Sequence, residues 1–123
     1  MNYILVVDDS STLRTSIEYA LKKFGYQILQ SENGAVALDA IREIKKTGGE
    51  IRLCVCDVNM PIMDGISFVR EFRKDDKFTP VLMLTTESGE EMLKKGKEAG
   101  ASGWMMKPFK PAELVSVVEK LMH

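Results

Sequence analysis

Leu53-Cys54-Val55-Cys56-Asp57 sets four apolar side chains in a row and closes them with a carboxylate. A strand buried on one face alternates apolar and polar residues. An unbroken apolar run marks a strand covered on both faces, as in a parallel sheet. Ile4-Leu5-Val6-Val7 runs in the same way into Asp8-Asp9, Val81-Leu82-Met83-Leu84 into Thr85-Thr86, and Trp104-Met105-Met106 into Lys107-Pro108. Of the five runs, only Ile28-Leu29 lacks such an ending. Ligands of open parallel sheets sit outside the carboxyl ends of the strands. Parallel strands here would bring three carboxylates, two hydroxyls and one ammonium to a single rim. That chemistry suits an oxygen-coordinated divalent cation beside a phosphoryl group.

Outward from these runs the sequence takes a helical period. Leu13, Ile17, Ala20, Leu21 and Phe24 share a face, with cap candidates from Ser10 to Thr12 and Gly25 as the stop. Ala37, Leu38, Ile41 and Ile44 form a second stripe, closed by Gly48-Gly49. Ile66, Val69 and Phe72 form a third, opened by Asp64-Gly65. Leu114, Val117, Val118, Leu121 and Met122 form the last, with Pro111 suited to its first turn. From Ser88 to Ala99 the stripe is sparse, and two glycines, Gly89 and Gly96, each cost roughly 1 kcal/mol inside a helix. A helix of low intrinsic stability is expected there, suited to a moving part.

Regular strand–helix alternation predicts an α/β fold, a doubly wound five-stranded parallel sheet with helices on both faces. Gln27-Ile28-Leu29-Gln30 is partly polar and belongs at an edge. The predicted strand order is therefore 2-1-3-4-5, the order of flavodoxin and CheY. The 123 residues make one domain, with no output domain expected. A net charge of -1 favours neither nucleic acid nor an anionic membrane. No stretch approaches the roughly 20 apolar residues of a membrane helix, and nothing resembles a signal peptide. Cys54 and Cys56 point to one face of a strand and read as small buried hydrophobes, so a cytoplasmic protein is expected.

Each piece of the rim also has a plain reading. Asp8-Asp9 before a helix can be a cap, Thr85-Thr86 β-branched strand residues, Lys107 a solvated lysine, and Asp57 a turn residue. Their recurrence at four of five strand ends favours the chemical reading. Crowded carboxylates repel unless a cation neutralises them. Mg²⁺, a small hard ion, takes carboxylates, waters and phosphate oxygens. A carboxylate can itself be the nucleophile and become an aspartyl-phosphate. The Met60 and Met63 pair reads as loop packing, and Lys94, Lys95 and Lys97 as a solvated helix face.

Asp57-Val58-Asn59-Met60-Pro61-Ile62-Met63-Asp64-Gly65, with Asp8-Asp9, Thr85 and Lys107-Pro108-Phe109, resembles the response-regulator receiver domain over essentially the whole chain. Ala99-Gly100-Ala101-Ser102-Gly103-Trp104 is most similar to single-domain chemotaxis regulators of the CheY type. The resemblance implies Asp57 as phosphoacceptor, Asp9 as a direct Mg²⁺ ligand, Asp8 acting mainly through water, and the Asn59 carbonyl as a further ligand. It implies that Lys107 holds the phosphoryl group, and that Thr85 binds it and couples its arrival to the following loop. It also implies a cis Lys107-Pro108 bond. Asn59 and Glu87 flank the site, where family residues set the dephosphorylation rate.

Two positions depart from the family pattern. Trp104 stands where Tyr or Phe usually serves as the aromatic switch, and rotation and fixed edge packing both remain open. Thr86 replaces a common Ala at a phosphoryl-contact position, where its bulk would restrict access. The implied partners are a sensor histidine kinase, a downstream target such as the flagellar motor switch, and a phosphatase, acting on a monomer. Signalling would run through the face of the fourth helix, fifth strand and fifth helix. A phosphorelay intermediate or phosphate sink is the alternative within the family. A haloacid dehalogenase-type phosphohydrolase needs a general acid where Asn59 stands. A nucleotide- or flavin-binding protein would need a Gly-rich loop after the first strand, where Asp8-Asp9 would repel phosphate.

Overall fold

In a computed structural model, which describes residues 1–86 and 89–122, the five apolar runs are strands β1 (Asn2–Val7), β2 (Gln27–Ser31), β3 (Glu50–Asp57), β4 (Val81–Thr85) and β5 (Gly103–Met106). Between and after them lie helices α1 (Ser11–Leu21), α2 (Gly34–Lys46), α3 (Gly65–Asp75), α4 (Glu90–Ala99) and α5 (Pro111–Leu121), with a 3₁₀ turn over Lys22–Phe24. All strand pairs are parallel, in the order β2-β1-β3-β4-β5. The expected fold is found, with the partly polar β2 at one edge.

The pleat sends alternate side chains to opposite faces. Leu5, Val7, Cys54, Cys56, Val81 and Met83 pack with α2 and α3, alongside Ala99 of α4. Ile4, Val6, Leu53, Val55, Leu82 and Leu84 pack with Ile17 and Leu21 of α1 and Leu114 and Val118 of α5. β1, β3 and β4 are therefore apolar on both faces, as their sequences require. Cys54 and Cys56 are free and buried, as expected, and burial pushes both thiols well up.

Helix ends follow local chemistry. Ser10, Asn33 and Asp64 side chains accept from the N–H groups of Leu13, Val36 and Ser67, satisfying donors that have no partner inside the helix. Pro111 opens α5, and Gly25, at φ 80, stops the 3₁₀ turn. One expectation is corrected. Gly89 is the N-cap residue of α4, so it imposes no cost inside the helix. Gly96 is interior, and its bare Cα faces Trp104, where a Cβ would meet the ring at 2.3 Å. Ser88 of the expected helix lies outside the described residues.

Candidate functional site

The strand register levels the chemistry. Val7 pairs with Cys56, Asp57 with Leu84, and Thr85 with Met106. Asp8, Asp57, Thr85 and Lys107 therefore emerge together at the carboxyl ends of β1, β3, β4 and β5. Asp8, Asp57 and Thr85 are buried, while Asp9 and Asn59 are exposed. One carboxylate oxygen from each of Asp8, Asp9 and Asp57 lies within 4.8 Å of the others.

Lys107 joins two of these groups. Its Nζ donates to Asp8 Oδ2 at 2.9 Å and lies 3.2 Å from Asp57 Oδ1. Its backbone N–H donates to the Thr85 carbonyl at 2.7 Å, and the Lys107-Pro108 bond is cis, as the resemblance implies. Asp8 Oδ1 accepts from the Ser10 N–H at 2.9 Å. Both oxygens of Asp8 are thus engaged by protein donors, while Asp9 faces solvent.

Electrostatics separate the two buried carboxylates from an ordinary ion-pair cluster. Burial raises the pKa of Asp57, and the neighbouring Asp8 charge raises it further. The Lys107 charge and hydrogen bond and the Asn59 backbone N–H offset only part of this. For Lys107, burial lowers the pKa, but its hydrogen bond to the Asp8 carboxylate and the charges of Asp8 and Asp57 win and hold it above its ordinary value. Lys107 therefore stays charged, and Asp57 carries its charge at a cost. Three carboxylates against one ammonium leave two negative charges unmet. A hard divalent cation with oxygen ligands fits that donor set and that charge.

Three contacts around the site become visible only in the fold. Arg14, one turn into α1, donates to the Asp8 carbonyl and to Gln30 Oε1 at 3.1 Å, tying the β1 end to β2. A basic residue on a helix carries no local mark of that role. Gly65 is needed for space, because a Cβ there would lie 2.1 Å from the Asp57 carbonyl oxygen. Its spacing after Asp57 was the available signal. Met63 packs against bare Gly34, so α2 braces the loop after β3.

The remaining expected residues divide. Thr86 is exposed and lines a shallow pocket with Leu13, Lys107, Pro108 and Phe109. The Trp104 ring is half-buried against Gly96, and its indole N–H is buried without an acceptor among the described residues. Lys94, Lys95 and Lys97 are exposed, as expected. Glu87 lies outside the described residues.

Comparison with known proteins extends the likeness over the whole fold. Residues 4–119 match the response regulator receiver domain. The chain is 34% identical over 122 residues to chemotaxis protein CheY1 of Helicobacter pylori, covering 97% of this chain and 95% of that protein. It is 37% identical to the transcriptional regulatory protein PrrA of Mycobacterium tuberculosis, covering 98% of this chain but 49% of PrrA. Among solved structures, Vibrio cholerae chemotaxis protein CheY4 superposes with a TM-score of 0.86 at 36% identity, over 98% of both chains.

Proposed function

The chain belongs to the response regulator receiver family, and on that premise we propose that it is a cytoplasmic, monomeric signalling switch phosphorylated on Asp57. Receiver domains are phosphoacceptors of two-component systems, so a histidine kinase and a downstream target are implied. The observation that carries the reading is Lys107, held 2.9 Å from Asp8 and 3.2 Å from Asp57 at the mouth of a three-carboxylate cluster.

An Asp57 carboxylate oxygen attacks the donor phosphorus, the bond from phosphorus to the donor breaks, and an acyl phosphate forms. The donor group leaves with the electron pair of that bond. Lys107, kept charged by Asp8, then binds the phosphoryl oxygens. Burial of Asp57 raises the energy of its ionised form and keeps bulk water from the acyl phosphate. Thr85, at the buried end of β4, offers a hydroxyl and connects the site to the loop leading to α4. Thr86 borders the approach to Lys107 and narrows it.

Asp9, Asp57 and the Asn59 carbonyl are the proposed direct Mg²⁺ ligands, with Asp8 acting through water. Bound Mg²⁺ would offset the negative charge of nucleophile and phosphoryl group. Engagement of both Asp8 oxygens by Ser10 and Lys107 supports the division between Asp8 and Asp9.

Chemotaxis and flagellar motor control, exerted through the α4-β5-α5 face, is the role the CheY relatives support, since they match this chain nearly end to end. PrrA is twice as long, and its regulatory activity is not carried over. Acetyl phosphate with Mg²⁺ tests the chemistry. One added phosphoryl group is expected by mass spectrometry, absent in EDTA and in Asp57→Asn. Equal labelling of that variant would reject Asp57 as acceptor.

A further inference from the structure

The loop between β3 and α3 contains a residue that the fold does not use. Ile62 has φ 69, the only positive φ at a non-glycine among the described residues. The Met63 N–H donates to the Pro61 carbonyl at 2.7 Å, so Ile62 is the central residue of a three-residue turn closed across it. A turn of that hand is rare and strained, and a β-branched side chain is among the worst suited to it. Glycine or asparagine would relieve the strain.

No packing offsets the cost. Ile62 is 85% exposed, whereas Met60 before the turn and Met63 closing it pack against the core. Strain that persists without an intramolecular return points to a role outside the fold. An exposed isoleucine alone would mean nothing, because single exposed apolar residues are common. The exposed side chain and the unfavourable backbone together are the observation.

Placement indicates what the residue meets. Ile62 is three residues after Asn59 and five after Asp57, and the loop is pinned at its base by the Gly65 N–H to the Val58 carbonyl at 2.8 Å. Three residue steps span at most about 11 Å, so Ile62 lies within that reach of Asn59, on the loop that leaves the phosphoacceptor's strand end. The first turn of α2 abuts the loop where Gly34 meets Met63, and nearby Val36 is 41% exposed. Any protein delivering a phosphoryl group to Asp57 must approach over this rim.

We propose that Ile62 is an apolar specificity contact for the phosphohistidine-bearing donor protein, presented by the turn it strains. The inference rests on the phosphoacceptor role of Asp57 and adds the surface by which the donor is chosen. Ile62 touches no reacting group, so small donors do not sense it.

The test separates contact from chemistry. A panel of purified histidine kinases, autophosphorylated with labelled ATP, is profiled against the parent chain, and the fastest donor is kept. With that donor, Ile62→Asn should slow transfer about tenfold, as expected for losing a buried isoleucine contact. Ile62→Leu, which keeps the apolar bulk, should retain most of the rate. Labelling of Ile62→Asn by acetyl phosphate should match the parent, and its melting temperature should rise by about 3 °C as strain is released. Equal transfer to Ile62→Asn and the parent would overturn the proposal. Equal loss with acetyl phosphate would also overturn it, because the residue would then act on the chemistry. Failure of the parent itself to label with acetyl phosphate would count against the Asp57 assignment, and this arm is read first.

Discussion

Asp57 and Asp76 stand at opposite rims of one sheet, and the fold drives their acidities in opposite directions. At the carboxyl rim Asp57 is buried beside Asp8, with one ammonium shared between them, and its pKa is raised. At the amino rim Asp76 ends α3. Its Oδ1 accepts from the Phe78 and Thr79 N–H groups at 3.0 and 2.9 Å, and its Oδ2 lies 2.6 Å from the Thr79 hydroxyl. Burial alone would raise Asp76, but these hydrogen bonds from Thr79 and Phe78 and the Arg73 charge lower it. Arg73 also donates to the Gly100 and Asp76 carbonyls at 3.0 and 3.1 Å, pinning the turn between α4 and β5. Asp76 has donors from the chain on both oxygens, whereas Asp57 shares one ammonium with Asp8. A structural rim and a chemical rim differ in this way.

The largest test removes the cation ligand assigned to the unmet rim. A bound ion stabilises by about 2.7 kcal/mol at a hundredfold excess over its dissociation constant. Asp9→Asn should lose that gain in Mg²⁺, yet melt higher than the parent in EDTA because like-charge repulsion falls. Thermal melts with and without Mg²⁺ read both. An unchanged Mg²⁺ gain would remove Asp9 from the ligand set.

At the other rim, Asp76→Ala leaves the Phe78 and Thr79 N–H groups short of an acceptor, and should cost about 2 kcal/mol in urea melts. The pH dependence carries the comparison. Asp76 has a depressed folded pKa, so its charge stabilises above the unfolded value near 3.9 and that part is lost as pH falls through the folded value. Asp57 has a raised folded pKa, so its ionisation costs nothing below about 3.9 and destabilises as pH rises through the folded value. Asp57→Asn should therefore gain on the parent as pH rises, while Asp76→Ala falls further behind. Curves moving in the same direction would break the contrast.

The smallest effect concerns β5, which runs from the turn pinned by Arg73 to Lys107. Trp104 lies between, lodged against Gly96. Gly96→Ala should crowd the ring and cost about 1 kcal/mol, with a red-shifted tryptophan emission as the ring moves out. Beryllofluoride with Mg²⁺ should shift parent emission if the ring follows the site, with Mg²⁺ alone as control. Emission constant in every arm would make Trp104 fixed packing and confine the difference to the rim.

Much of this was legible from residues in order. Leu53 to Asp57 and its counterparts announce strands covered on both faces because burial on two sides demands unbroken apolar runs. The stripes of α1, α2, α3 and α5 appear because a helix must bury one face every 3.6 residues. The weak stripe of α4 is legible too, but the separate roles of its two glycines are not. Gly89 caps the helix and Gly96 makes room for an indole ring, a distinction that depends on where the helix begins and what faces it.

Sequence by itself determined the layers, the strand order and the candidates for the rim, since these follow from periodicity and from which residue types end each strand. Tertiary structure decided the rest. The Lys107–Asp8 contact joins residues 99 apart. The Cβ-free approach of Gly65 to Asp57 and the strained, exposed Ile62 are set by how a loop closes over a strand end. The opposite acidities of Asp57 and Asp76 arise from burial and donor placement, which no local pattern encodes. Periodicity is a property of neighbours along the chain, whereas charge compensation is a property of neighbours in space.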